Sequence, residues 1–409
     1  MKNFFKLIFY LSFLLKASNC FAQNGLYWYF PIKNAIKFDN YPPTIINNSQ
    51  STFSIWVGGE GGGTMTDERG NLLYYNNGDT VWNRNNIAMA NGADLCSPLA
   101  SGYSSLSIPF LNDTNRYYIF QSAGFFASTP PNFYNINIVN MSLNGGLGDI
   151  EIKNDILYYG SSDRLTATKA SNGLDYWLIT HTQIGNTWKS FKISCSGIDR
   201  NNPVISSIGT SLNGSDYIIY PTIKISSDGR LLATNFTNRG YIELYQFNSA
   251  SGIISNPIKL ISEQLQPQTF EFSPDSKQLY LYSDSPFPTT TSFDQYDVSV
   301  FDSLSIKNSM FNIAEENVNF LSTTGQLQTA IDGRIYNATG LQKLSVIENP
   351  NVHGIGCSFR REFINIENIT SFTLPYTVPS VTTNPNVQIS YTVGPDCRTV
   401  TLRDRKSVV

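Results

Sequence analysis

The chain has 409 residues, of which 41% are hydrophobic and 13% aromatic, while only 14% are charged and the formal net charge is −3. That apolar content suffices for a substantial core, because each large side chain buried contributes about 1.5–3 kcal/mol. The sparse, slightly acidic charge includes no basic stripe to release counterions from a phosphate backbone, which argues against a nucleic-acid partner.

Residues 1–22 read as a secretory leader, with Lys2 and Lys6 as its positive region and Leu7 to Leu15 as its apolar run. Cys20-Phe21-Ala22 forms a cleavage site before Gln23. The apolar run is far shorter than the ~20 residues that cross a bilayer, and no later segment is apolar enough, so no membrane span is expected. Cys20 invites a lipid-anchor reading, but Ala17-Ser18-Asn19 lacks the leucine and small final residue of such a site. The expected location is extracellular or on the outer cell surface. Cleavage leaves Cys96, Cys195, Cys357 and Cys397, far apart and without a C-x-x-C pair. An oxidising compartment permits a disulfide among them, and buried or paired thiols are expected rather than catalysis or metal binding.

The mature chain begins with one strong strand, Leu26 to Phe30, and then repeats a short pattern: an apolar strand, a tight Asp/Asn/Gly turn, a second apolar strand. Copies centre on Gly70, Asn115, Gly173, Gly229, Ser276 and Gly333, at intervals of 45, 58, 56, 47 and 57 residues. A four-stranded propeller blade takes roughly 40–50 residues, so each interval fits one blade with variable loops. Gly or Asn at these places supplies the positive φ that a tight hairpin needs. In Gly240 to Phe247, Ile242, Leu244 and Gln246 face one way and Tyr241, Glu243, Tyr245 and Phe247 the other, which suits a sheet packed on both faces. No long amphipathic helix is expected.

The fold class is therefore all-β: a propeller of about seven four-stranded blades, WD-repeat- or YVTN-like, over residues 23–380. Blades fall at about 52–84, 102–141, 163–198, 217–256, 265–302 and 318–348. The expected seventh combines 349–380 with the N-terminal strand, so that closure removes free sheet edges. Asp228-Gly229, Asn172-Gly173 and Asp332-Gly333 should occupy equivalent turns. After Pro375 a Pro/Thr/Ser/Val-rich stretch reads as a linker, and residues 381–409 as linker plus the start of a small Ig- or PKD-like β-sandwich domain, with Gln388 to Val393 and then Cys397. Sixteen residues after Val393 are too few to complete it. The final Asp404 to Val409 matches a reading frame of a sequencing-library adapter, so the expectation is a reading frame cut short.

Several strings carry a family likeness: Gly70 to Tyr74, Thr80-Val81-Trp82-Asn83-Arg84, Met141 to Asp149, Arg164 to Lys169, Asp175 to His181, and Phe272-Ser273-Pro274-Asp275. In this order, over roughly residues 26–380, the chain resembles the N-terminal propeller of large Bacteroidota surface proteins. Those carry PKD or Ig-like repeats and a C-terminal gliding-motility-associated, type B sorting domain. The resemblance implies export by a signal peptide and the type IX secretion system, although the sorting domain itself is not in this sequence. It implies no catalytic residues.

The residues themselves offer little chemistry. His181 ends the strand Tyr176 to Thr180 and His353 lies in a loop; both read as structural, and neither has a second histidine nearby for a metal centre. Gly58-Gly59-Glu60-Gly61-Gly62-Gly63 lacks the G-K-[ST] ending of a phosphate loop and runs into a strand. Asn144 to Asp149 reads as a turn, and Asp67, Glu68, Asp228 and Asp275 as turn caps rather than calcium ligands. Asp79-Thr80-Val81 and Asp302-Ser303-Leu304 resemble short O-glycosylation sites.

No catalytic, cofactor-binding or metal residue is therefore assigned, and no cofactor is expected. The function expected is a non-catalytic surface module, monomeric and tethered to downstream domains. Its partner would be an unknown protein or glycan, with loop aromatics Phe125, Phe126 and Tyr134 available for stacking. The alternative is a propeller hydrolase or lactonase acting at the central channel.

Overall fold

The computed structural model describes residues 25–30, 33–51, 62–67, 69–95, 105–123, 132–213, 222–261, 266–285, 290–317, 325–338, 342–367, 374–376, 378, 389–393 and 400–404. The leader, Phe125 and Phe126, Cys20, Cys96 and Cys397 lie outside these residues. All but two of the described strands form seven antiparallel sheets in sequence order, and the architecture is a seven-bladed β-propeller.

Blade one comprises β1 (Tyr27–Phe30), β2 (Asn34–Lys37) and β3 (Thr44–Ile45); blade two comprises β4 (Gly63–Thr66), β5 (Leu72–Asn76) and β6 (Val81–Asn83). Blade three holds β7 (Ser105–Pro109), β8 (Arg116–Ala123), β9 (Phe133–Asn140) and β10 (Asp149–Tyr159). Blade four holds β11 (Ser161–Lys169), β12 (Tyr176–Thr182), β13 (Gly185–Ser194), β14 (Gly197–Ile198) and β15 (Val204–Leu212). Blade five runs through β16 (Ile223–Ile225), β17 (Leu231–Phe236), β18 (Tyr241–Asn248) and β19 (Ile253–Ile261). Blade six has β20 (Gln266–Phe272), β21 (Gln278–Asp284), β22 (Thr290–Asp297) and β23 (Phe311–Asn317). Blade seven has β24 (Leu327–Thr329), β25 (Ile335–Ala338), β26 (Lys343–Ile347) and β27 (Phe359–Asn365). A separate hairpin pairs β28 (Ile389–Val393) with β29 (Val400–Asp404). One short helix, α1 (Ser303–Asn308), follows β22; Asp302 caps it by accepting the Ser305 amide at 2.8 Å.

Successive first strands touch one another, which places β1, β4, β7, β11, β16, β20 and β24 around the axis. Between each pair of neighbouring blades sits one apolar cluster. The alternation in β18 produces two of them: Ile242 and Leu244 pack toward blade six, Tyr245 and Phe247 toward blade four. The two-faced strand read from the sequence is thus two half-cores, one on each side of a blade.

The seventh blade differs from its expected construction. Residues 359–365 are the last strand of the blade that begins at Leu327, and among the described residues β1 pairs with β2 alone. The ring closes by side-chain packing instead of a shared strand. Trp28, Phe30, Ile36 and Phe38 of blade one pack against Tyr336, Leu344, Val346 and Ile364 of blade seven. The Trp28 ring meets Tyr336 edge-on at 5.7 Å and Phe38 meets Tyr336 at 5.4 Å; such pairs add about 0.5–1.5 kcal/mol each beyond burial. At the same junction the Tyr41 hydroxyl donates to Glu348, and Arg334 lies over the Tyr41 ring at 3.7 Å. A segment this rich in large rings has no need to borrow another blade's hydrogen bonds in order to stay.

The repeated turns are equivalent, each joining the first two strands of its blade. In them Gly70, Gly173, Gly229, Ser276 and Gly333 donate to Asp67, Ala170, Ser226, Ser273 and Ala330 carbonyls at 2.8–3.0 Å. The acidic residues cap these turns as expected: Asp228 Oδ1 accepts from Ser226 Oγ and Asp275 Oδ1 from Ser273 Oγ, both at 2.7 Å.

Positive φ alone and positive φ with a close neighbour should separate in mutants. Gly333 has φ 78° with no atom within 4 Å of an added Cβ, whereas Gly209 has φ 81° and its Cβ would lie 2.8 Å from Tyr245 Cζ. We expect Gly333→Ala to cost about 1 kcal/mol and Gly209→Ala at least about 2 kcal/mol more, measured by denaturant unfolding.

Candidate functional site: the propeller axis

A propeller concentrates its chemistry where the first strands converge, so the side chains they send inward define the candidate site. In β16 a single lysine stands between isoleucines, Ile223-Lys224-Ile225, and in β20 a glutamate stands between phenylalanines, Phe270-Glu271-Phe272. The flanking apolar residues are spent on the inter-blade cores. The middle positions are thereby left to the axis. Lys224 Nζ donates to Glu271 Oε2 at 2.7 Å and to Gln328 Oε1 at 2.6 Å, joining blades five, six and seven. Glu271 also accepts the Phe272 amide at 3.0 Å and the Thr329 amide at 3.2 Å. Lys224 and Glu271 side chains are 1% and 6% exposed. Burial pulls the Lys224 ammonium below its ordinary range, and the Glu271 carboxylate opposes that pull.

The chain itself covers this cluster. Leu374 packs into the core between blades seven and one, and its amide donates to Gln326 Oε1 at 3.1 Å. Two residues later Tyr376 packs into the core between blades three and four, on the far side of the ring. The Tyr376 amide donates to the Gly62 carbonyl of blade two at 3.3 Å, and its hydroxyl bonds Thr166 Oγ1 of blade four. Its ring lies 4.9 Å from Lys224 Nζ, a desolvated cation–π contact of about 2 kcal/mol. The residues after Pro375 were expected to be linker; Tyr376 is instead core, 3% exposed. A phenol ring facing a buried ammonium recovers more free energy than the same ring in water.

A second buried polar group lies between blades four and five. Arg164 donates to Thr234 Oγ1 at 2.8 Å and to the Asn235 carbonyl at 2.9 Å. Glu243 accepts the Thr210 amide at 2.8 Å and the Tyr245 hydroxyl. His181 sits beside this group in β12, 1% exposed, with Nδ1 against the Thr182 carbonyl at 2.7 Å and its ring edge-on to Trp188 at 4.5 Å. Burial, helped by the Arg164 charge, pushes its imidazole down to about 3. His353 lies on blades six and seven, Nδ1 2.8 Å from Gln278 Oε1. The two histidines are thus apart, each in a structural setting.

Other sequence candidates fall elsewhere. Tyr134, expected as an exposed loop aromatic, is a buried residue of β9, 1% exposed, whose hydroxyl donates to the Arg164 carbonyl at 2.6 Å. Its alternation with Ile136 places it in the core between blades three and four. Gly63 opens β4, so the glycine run does lead into a strand. Asn144–Gly146 is a single tight turn. Thr80 Oγ1 donates to Asp79 at 2.9 Å. Cys195 is in a disulfide, and Cys357 is free and buried. Among the described residues no three His, Cys, Asp or Glu converge as a metal group.

Sequence reading missed the axial set, although a signal was present. Aligned on their turns, Lys224, Glu271 and Gln328 fall at the same place, two residues before Ser226, Ser273 and Ala330. A polar residue recurring at one position of blades five, six and seven marks the axis.

No protein-family model and no curated protein matches this sequence. Among solved structures, the periplasmic gluconolactonase of Pseudomonas aeruginosa is similar, with TM-score 0.51 and 10% identity over 84% of this chain and 96% of that chain. A protein from Lactobacillus plantarum is similar at TM-score 0.50 and 8% identity, covering 85% of this chain and 98% of that chain. At such identities the likeness shows the propeller fold.

Two outcomes follow from the buried charges. Lys224→Met leaves Glu271 buried without its cation and should cost about 3–5 kcal/mol; Lys224→Met with Glu271→Gln should recover most of it, read by chemical denaturation as a double-mutant cycle. For His181, the folded pKa of about 3 lies below the ordinary 6.5. Its stabilising share is whole above pH 6.5 and is lost as pH falls toward 3, at about 1.4 kcal/mol per unit. NMR titration should find the His181 ring neutral at pH 5 in the folded protein; a ring already charged there would contradict the assignment.

Proposed function

We propose that this chain is a non-catalytic propeller module of an exported surface protein, engaging a protein or glycan at its loops. The carrying observation is the state of the axis. Its lysine is bonded to both its glutamate and its glutamine, and Tyr376 covers the lysine, whereas a propeller hydrolase needs reacting groups free to meet a substrate there. The loop between β26 and β27 gives a partner something to hold. Ile355 is 89% exposed and Val352 46%, next to Phe311 at 36%, and exposed apolar side chains grouped together are a feature of protein-contact surfaces.

Export is supported by the leader pattern and by the disulfide at Cys195, which fits an oxidising compartment. The likeness to type IX-secreted Bacteroidota propeller proteins extends the proposal to the outer cell surface. A second reading, a lactonase at the axis, draws on the fold shared with the Pseudomonas gluconolactonase.

One set of measurements separates the two. The purified mature chain is expected to leave gluconolactone hydrolysis at its uncatalysed rate, to begin at Gln23 by mass spectrometry, and to be digested by protease added to intact cells. Lactone turnover that Glu271→Gln abolishes would replace the binding-module reading with the enzyme.

A further inference from the structure

The axis of this propeller is occupied by the chain's own C-terminal segment, and the manner of occupation differs from the rest of the core. Leu374 and Tyr376 anchor on opposite sides of the ring, in the cores between blades seven and one and between blades three and four. The segment therefore runs across the axis rather than along a blade. It belongs to no strand: its described backbone bonds are Leu374 N to the Gln326 side chain and Tyr376 N to the Gly62 carbonyl. Gln326, which receives it, is 5% exposed, and its Nε2 is buried without a partner among the described residues. A buried amide left half-satisfied costs free energy, and it lies where the strap is seated.

Beneath the strap lies a polar floor. Lys224, Glu271, Gln328 and the amides of Phe272 and Thr329 bond across three blades without using Tyr376. Buried ion pairs of this kind are weak contributors to stability compared with apolar packing, so filling the axis is a poor reason for having one. What the floor offers upward is an ammonium for a ring face and the Thr166 hydroxyl for a ring hydroxyl, and Tyr376 uses both.

We propose that the axis is a binding site for a small ligand bearing a hydroxylated ring, occupied in cis by Tyr376, and that Leu374–Tyr376 is a displaceable strap. The site is distinct from the loop surface proposed above, and it leaves the non-catalytic reading in place because Lys224 stays bonded to Glu271 and Gln328 when the strap lifts. With the strap seated, Tyr376 covers Lys224. With it lifted, one ring-sized cavity opens over an intact floor, much as truncating a buried ring leaves a cavity that a small aromatic molecule can fill.

The test uses the full chain and p-cresol as the probe. Tyr376→Ala is expected to bind p-cresol saturably by calorimetry, to gain melting temperature with it, and to prefer it to toluene; Tyr376→Phe should bind neither. In the wild-type chain, the Tyr376 amide should exchange with deuterium at least about tenfold faster than the ladder-bonded amides of Thr168 and Lys224, because the strap opens locally while the blades stay folded. A folded Tyr376→Ala that ignores p-cresol would overturn the site. Equal exchange of the Tyr376 amide with those of the inner strands would overturn displacement, and this arm stands even if Tyr376→Ala does not fold.

Discussion

Everything in this molecule depends on the wedge of apolar side chains between neighbouring blades. Each blade is a twisted sheet with two buried faces, and neither face is covered until the next blade arrives. The seven clusters that result are similar in kind but differ in filling. Blades one and two meet through a stacked Tyr29–Tyr75 pair at 4.1 Å, whereas blades five and six meet through leucines, isoleucines and phenylalanines. A ring of such wedges has no terminal one, so the junction between the last blade and the first must be as good as the others. Trp28, Phe38 and Tyr336 make it so without a strand from either end crossing over.

That closure shifts a burden to the axis. When a propeller closes by sharing a strand, hydrogen bonds along a full edge hold first and last blades together. Here, among the described residues, the bonds between those blades are side-chain ones at the rim, Tyr41 with Glu348 and Arg334 over Tyr41. Toward the centre, Leu374 adds its side chain to the same junction before the chain crosses to blade four. Ring closure and axial occlusion are thus two consequences of one stretch of chain.

The blade period, the turn equivalence and the two-faced strands were legible because they are local: a hairpin turn and an alternating strand advertise themselves within ten residues. Two readings went astray for a shared reason. Tyr134 looked available for a ligand because it neighbours a loop, and Leu26–Phe30 looked like a closing strand because it stands alone at the start; each is settled by what another blade brings to it. Arg164 and the blade-four core claim Tyr134, while Tyr336 claims Trp28. The axial lysine and glutamate escaped notice because charged residues are usually taken for solvated ones. Their neighbours Ile223, Ile225, Phe270 and Phe272 face the other side of the strand, so alternation alone does not tell an axial charge from a solvated one, and the recurrence at one blade position was the usable signal.

Ser276 shows how the repeat absorbs exceptions. It stands at φ 62° where four other blades place glycine, a conformation that costs an L-residue about 1 kcal/mol. Glycine there would relieve the strain but would lack an oxygen. Ser276 Oγ accepts the Asp228 amide at 3.0 Å, from the equivalent turn of the preceding blade. Such a bond contributes about 0.5–1.5 kcal/mol, so strain and bond nearly cancel, and the gain is positional: two neighbouring turns are tied at the rim. Similar ties recur, with the Ser171 amide on the Ser249 carbonyl at 3.0 Å and the Asp275 amide on Asn351 at 3.1 Å. The turns that first identify the fold in sequence are therefore also handles by which one blade holds the next, and residues that look like imperfect copies of the repeat are those in which the second task has overridden the first.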